Sequence, residues 1–174
     1  VISTEGISMD PAKVKTMVEW QNPCQNGGRV VDVQCFLGFA NFYRKFIKDY
    51  SKLVLPLTQL TKKGQSFVWS EEADMAFESL KKAFTSAPIL AHVDPEKPFI
   101  IKADASDFAL GSILSQQGND EKLHPVAFHS RKFDVAEINY EIHDKELFAI
   151  VDSFTQWRHF LEGSSHQFNV FNEH

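Results

Sequence analysis

The period of the apolar residues changes near Pro95, and that change divides the chain into a helical half and a half that opens with strands. Phe99-Ile100-Ile101-Lys102-Ala103-Asp104-Ala105, which follows Pro98, reads as a buried strand. Leu110 to Gln116 and Val126 to Ser130 read as two more, joined by the polar, Gly-containing turn from Gln117 to Leu123. A long helix is expected from about Val135 to Glu162, with Leu147, Ile150, Val151, Phe154 and Leu161 in one stripe and Gly163-Ser164 closing it. Phe168-Asn169-Val170-Phe171 then starts a fourth strand. Three antiparallel strands, a helix and a further strand make an α/β (α+β) unit, and with its fourth strand left uncovered it is expected to be unfinished.

Before Pro95 the signals are helical. Asp10 is placed to cap a helix that has Pro11 at its first position, runs to about Trp20 and buries Val14, Met17 and Val18. Asn22-Pro23 and Asn26-Gly27-Gly28 break it. A second helix is expected from about Val30 to Tyr50, with Phe36, Leu37, Ala40, Tyr43, Phe46 and Ile47 at helical spacing. Ser70 with Glu71 and Glu72 opens a third, whose apolar face is Phe77, Leu80 and Phe84 and which Pro88 ends. Val1-Ile2-Ser3 has the character of a strand tail. The division expected is therefore a helical segment over 1–90 and a second domain over 91–174.

Composition narrows the function classes. At 174 residues, 43% hydrophobic and 13% aromatic, with 16 Phe, the chain carries enough apolar bulk for a real core, which excludes disorder. The net charge of −5 is uneven: residues 1–90 carry +2 and residues 91–174 carry −7. No overall basic footprint for nucleic acid is present, and concentrated acid in the second half suits either a cation site or a solvated face. Cys24 and Cys35 make neither a zinc ribbon nor a disulfide framework, so a reducing compartment is the default. No signal peptide and no apolar run approaching a membrane span is visible. A start at Val1 rather than Met is read as a fragment of something longer.

Three carboxylates stand out. Asp104 lies in the first strand, where an acid is costly without a compensating positive group, although on spacing alone a strand-end surface acid or a turn with Ser106 and Asp107 is the stronger account. On the long helix Asp144 and Glu146 both sit roughly 80° from the stripe centre, on opposite flanks, and periodicity does not choose between them. His143 lies nearer the centre, the position of a hydrogen-bonded core histidine. Glu173 falls at the end of the fourth strand, one residue before the chain stops.

Read together, Gly6-Ile7-Ser8-Met9-Asp10-Pro11-Ala12-Lys13-Val14, Phe36-Leu37-Gly38-Phe39-Ala40-Asn41-Phe42-Tyr43-Arg44-Lys45-Phe46-Ile47 and Phe67-Val68-Trp69 resemble the region after the polymerase palm in Ty3/gypsy-type retrotransposon reverse transcriptases. Ser86-Ala87-Pro88-Ile89-Leu90, Ala103-Asp104-Ala105-Ser106-Asp107, His129-Ser130-Arg131-Lys132, Asn139-Tyr140, Lys145-Glu146-Leu147 and Trp157-Arg158-His159-Phe160-Leu161 resemble the ribonuclease H domain that follows in the same polyprotein. The matches run in order over nearly the whole chain. The resemblance implies a thumb-like or connection-like segment over 1–90 and the front of a ribonuclease H-like fold over 91–174.

It also implies a chemistry: divalent-metal hydrolysis of the RNA strand of an RNA–DNA hybrid, with Asp104, Glu146 and Glu173 as catalytic and metal-binding carboxylates and Mg²⁺ or Mn²⁺ as a pair of ions in the intact parent. Two such ions about 4 Å apart stabilise both attacking and leaving oxygens in phosphodiester hydrolysis. Lys13, Arg44, Lys45 and Lys48 become candidate phosphate contacts. The implied partners are the hybrid, the upstream palm and the downstream polyprotein, with no membrane. The implied location is the cytoplasm, in virus-like particles, with access to the nucleus and no secretion.

The sequence departs from the family pattern in three places. Asn172-Glu173-His174 stands where the family usually reads Thr-Asp-His, and the extra methylene shifts a ligand where about 1 Å of misplacement costs about a hundredfold in rate. A fourth carboxylate is expected only beyond His174, and the Cys24 to Val30 stretch is longer than the usual linker. These leave open a second reading, a decayed or non-catalytic ribonuclease H-like module that binds nucleic acid or serves as scaffold, and a third, an unrelated acid-rich protein that binds Ca²⁺ or another protein.

Overall fold

The computed structural model describes residues 1–172, the side chain of Asn26 aside. The helical half opens with α1 (Pro11–Val18), capped as expected by Asp10, whose carboxylate accepts from the Ala12 amide at 2.9 Å. Of its expected buried residues Met17 is fully enclosed, whereas Val18 is exposed. α2 (Val30–Phe42) buries Val33, Phe36 and Ala40. It does not continue to Tyr50.

After a short 3-10 turn at Arg44–Phe46 the chain resumes as α3 (Tyr50–Leu53) and α4 (Leu55–Leu60). The break has a local cause. Asp49 takes a left-handed conformation (φ 53°), outside the helical range, and Pro56 is tolerated only because α4 restarts there. α5 (Glu71–Thr85) begins as the sequence indicates, with the Ser70 hydroxyl accepting from the Ala73 amide at 3.1 Å and Glu71, Glu72 and Asp74 in its first turn. An aromatic core joins α2 to α5 through Phe36 and Phe77, whose ring centroids are 4.7 Å apart.

The second half contains β1 (Phe99–Ala105), β2 (Ala109–Gln117), β3 (Leu123–Lys132) and β4 (Asn169–Asn172) in the order β3-β2-β1-β4. The first three are antiparallel, as expected, and β4 runs parallel to β1, pairing Ile100 with Asn169 and Ala103 with Asn172. A parallel neighbour needs a crossover. α6 (Ile142–Gln156) and α7 (Arg158–Leu161) provide it, the buried Trp157 standing at the break between them. β3 is longer than expected, and its register shifts at Ser115 opposite Pro125, a residue with no amide to give to the ladder.

Strand alternation makes a three-layer arrangement. Phe99, Ile101 and Ala103 point to the α6 side, where they join Trp157 and Ala149. Asp104, Phe128 and Ser130 meet the helical half on the other face. The fully buried stripe of α6 is Lys145, Ala149 and Ser153, with Ile150, Phe154 and Leu161 of the expected stripe packed beside it and Leu147 and Val151 left outside. Leu147 and Val151 are 61% and 51% exposed. Small residues let the helix approach the sheet closely, so bulk alone misidentifies the packed face.

Candidate carboxylate site at the sheet and helix junction

Asp104 is the sixth residue of β1, and its cross-strand partner is Gly111. The loop that follows is closed by Ser106, whose amide and hydroxyl both donate to the Ala109 carbonyl, at 2.9 and 3.0 Å. Ser106 thus makes the turn by itself, and Asp104 is left outside it. One Asp104 oxygen accepts a charge-assisted hydrogen bond from the Lys52 ammonium at 2.6 Å, with Asp49 Oδ1 4.0 Å from the same nitrogen. Lys52 belongs to α3, so the strongest partner of the first carboxylate comes from the helical half.

Glu146 sits in the first half of α6 with its side chain only 16% exposed, and His143 Nδ1 approaches it at 3.8 Å. His143 itself is solvent-facing, not a core histidine. Asp144 is exposed, so burial separates the two flanking acids that periodicity left equivalent. Between them Lys145 is buried and reaches back to the β1–β2 loop, donating to the Asp107 carbonyl at 3.2 Å above the Phe133 ring. That contact, with Ala103 packed in one cluster with Ala149, binds the Glu146 helix to the Asp104 strand.

A second charged cluster fastens α6 to β3. His129 Nε2 lies 2.6 Å from Asp152 Oδ2, Arg131 Nε lies 3.4 Å from Asp152 Oδ1, and the Arg131 guanidinium forks onto Glu137 at 3.0 and 3.1 Å. The contact with His129, reinforced by Arg131, holds the Asp152 carboxyl below the usual carboxylate range. Arg131 does the same for Glu137. A carboxyl depressed in the folded state contributes stability above its unfolded pKa and loses it as pH falls through the folded value. Stability is therefore expected to drop below about pH 4 to 5, and Asp152→Asn to flatten that acid limb while costing about 1–2 kcal/mol at pH 7. Urea denaturation at stepped pH measures both.

The expected phosphate contacts divide. Lys13, Lys45 and Lys48 are exposed. Arg44 turns inward: its guanidinium donates to the Ser130 carbonyl and to Ser51 Oγ at 2.9 Å, and stacks 5.0 Å over the Tyr50 ring. Burial lowers the Arg44 pKa and pushes the Tyr50 hydroxyl up to about 12. Glu173, the third carboxylate, lies outside the described residues.

Among the described residues no three His, Cys, Asp or Glu side chains are grouped to hold a metal ion. Asp104 and Glu146 lie on packed elements, yet the cation at Asp104 is an ammonium. A resident divalent metal does not fit the described arrangement. Lys52, Lys145 and Asp152 escaped sequence reasoning, since their partners lie 52, 38 and 23 positions away.

Comparison with known proteins bears on these residues. The chain is 35% identical over 173 residues to the transposon Tf2-3 and Tf2-4 polyproteins of Schizosaccharomyces pombe, covering 99% of its own length and 13% of theirs. Its fold is similar to that of the foamy viral protease-reverse transcriptase, in the dRH form with double-stranded DNA (TM-score 0.76, 21% identity, 98% of this chain and 29% of that one). The same enzyme in complex with RNA/DNA hybrid gives a TM-score of 0.75 at 21% identity, over 98% and 22% of the two chains. Domains of the matching family generally use divalent metals. Residues 69–170, which include Asp104 and Glu146, match the model for the RNase H-like domain found in reverse transcriptase, and the chain belongs to that family.

Proposed function

We propose that, in the intact polyprotein, this domain hydrolyses the RNA strand of RNA–DNA hybrids, with Asp104 and Glu146 as two of its carboxylates and Glu173 as the third. The observation that carries the proposal is that Asp104 on β1 and Glu146 on α6 both fall within residues 69–170, the segment that matches the RNase H-like domain found in reverse transcriptase. β1 and α6 pack through Ala103 and Ala149, while the Asp104 side chain itself turns to the helical half. Mg²⁺ or Mn²⁺, as two ions, would be the cofactor of the intact parent, with Glu173 needed to complete a site that the described residues alone do not form. Residues 1–90 act as a thumb-like or connection-like segment, and Lys13, Lys45 and Lys48 are its candidate phosphate contacts. The partners are the hybrid, the upstream palm and the downstream polyprotein, in cytoplasmic virus-like particles and in the nucleus.

A second reading, a scaffold that keeps the fold without the chemistry, is favoured by one observation: the ammonium of Lys52 on Asp104. Incubating the intact parent in Mg²⁺ with hybrid, RNA–RNA and DNA–DNA duplexes separates the two. RNA-strand cleavage of the hybrid alone, abolished by chelation and restored by Mn²⁺, is expected for an enzyme. Binding of the hybrid without cleavage at any metal concentration identifies the scaffold.

A further inference from the structure

The face of α6 that points away from the sheet is apolar, and none of the described residues covers it. Leu147 and Val151 are more than half exposed there, with Tyr140 exposed beside them. Two shallow grooves meet on this face. One, of about 300 Å³, lies against Tyr140, Leu147 and Phe148, and the other, of about 420 Å³, against Phe154, Leu161 and Phe168. Val151 lines both. A continuous apolar strip rimmed by charge marks an interaction surface.

Charge follows the same stripe. Asp144 stands seven residues before Val151 and Arg158 seven after it, and each lines one of the grooves. Seven residues make close to two helical turns, so acid, valine and base fall along one line. Asp144 is exposed in the first turn of α6 and has no cation partner among the described residues. Arg158 gives its Nε to Glu162 at 2.6 Å, which leaves its two terminal amines for a second carboxylate.

This pattern is its own complement. In a second copy turned antiparallel about a two-fold axis at Val151, Asp144 of each copy meets Arg158 of the other, Leu147 meets Thr155, and Phe148 meets Phe154. The groove beside Tyr140 then receives the residues of the groove beside Phe168, and the reverse. Opposite helix ends also come together, which the helix dipoles favour. A parallel copy would set Asp144 against Asp144. A partner of uniform charge, such as a basic helix or a nucleic-acid strand, would be attracted at one end of the stripe and repelled at the other.

We infer that two copies of this chain pair through the outer face of α6, on a two-fold axis at Val151, with reciprocal ion pairs between Asp144 and Arg158. Sedimentation of the 174-residue chain over a range of concentrations tests the pairing. The wild type is expected to show a monomer–dimer equilibrium. Asp144→Arg sets like charges together at both ends of the interface and should raise the dimer dissociation constant about tenfold, the combined effect of two exposed pairs. Arg158→Asp should do the same, and the double exchange should restore pairing. Both side chains are exposed, so neither change disturbs the core.

Val151→Cys places a thiol on the axis. In a chain that also carries Cys24→Ser and Cys35→Ser, both at exposed positions, oxidation is expected to link two copies through that thiol alone. A chain that stays monomeric at every concentration overturns the inference. So does a dimer that ignores both charge reversals, or a Val151→Cys protein that does not link to itself. In the intact parent, a Val151→Cys thiol shielded from maleimide in a monomeric species identifies another segment of the polyprotein as the occupant, and that result overturns it as well.

Discussion

Arg44→Ala is expected to destabilise the protein by about 2–4 kcal/mol, a large effect for a side chain whose sequence context marks it as a surface cation. The guanidinium bridges the two halves. It donates to Ser130, a residue 4% exposed on β3, to Ser51, 5% exposed on α3, and to Asn41 at 3.2 Å, while its plane covers Tyr50. Truncation leaves the Ser130 carbonyl without its guanidinium donor in a buried interface and Ser51 Oγ with the Ser130 hydroxyl as its remaining donor, and a buried polar atom without a partner costs about 1–3 kcal/mol. Loss of the ring contact adds about 0.5–1 kcal/mol. Lysine cannot reproduce the planar fork, so Arg44→Lys should recover only part of the difference. Urea denaturation decides it: a midpoint lowered without a change of slope supports the bridge, and a loss below about 0.5 kcal/mol would place Arg44 among ordinary surface charges.

The same residue shows where the sequence was legible and where it was not. Local signals were accurate at Asp10, Pro11 and Ser70, because a cap and its helix lie within three residues of one another. The strand run after Pro98 and the turn around Gly118 also emerged correctly, and with them the α/β (α+β) class. Apart from the long helix, expected from about Val135 and beginning only at Ile142 after an extended Tyr140, the failures are tertiary. Phe46, Ile47 and Tyr50 continue a helical stripe, yet their burial depends on a chain that turns at Asp49 to reach the sheet. Leu147 and Val151 lead the hydrophobic pattern of α6, yet Ala149 and Ser153 face the strands. A period finds bulk, whereas packing of a helix on a sheet rewards closeness.

Replacing Asp104 by Asn in the intact parent is expected to lower hybrid cleavage at least about a hundredfold, the scale on which removing a positioned charge-stabilising group acts. The change keeps the side-chain volume nearly constant. It removes the negative charge that Lys52 neutralises here and that divalent metal would require for catalysis. Fold stability should change little, since the Asp104 side chain is 42% exposed and exposed ion pairs contribute about 0–1 kcal/mol. A large loss of cleavage with a small loss of stability is thus the signature that separates a catalytic carboxylate from a structural one.

Of this candidate site, Asp104 was visible as an acid ending an apolar strand, and the choice of Glu146 over Asp144 came from family resemblance. The two acids differ in exposure, Glu146 being half-buried and Asp144 exposed. Lys52 was illegible for a physical reason. It sits in a four-residue helix whose own sequence carries no sign of the sheet it touches.

The deciding measurement is single-turnover cleavage of the RNA strand of an RNA–DNA hybrid in Mg²⁺ by the intact parent, wild type beside Asp104→Asn, with DNA synthesis followed in the same samples. Cleavage reduced at least about a hundredfold while synthesis persists is the predicted result. Cleavage at the wild-type rate in Asp104→Asn would contradict the assignment of Asp104 and, with it, the ribonuclease H site proposed at the junction of β1 and α6.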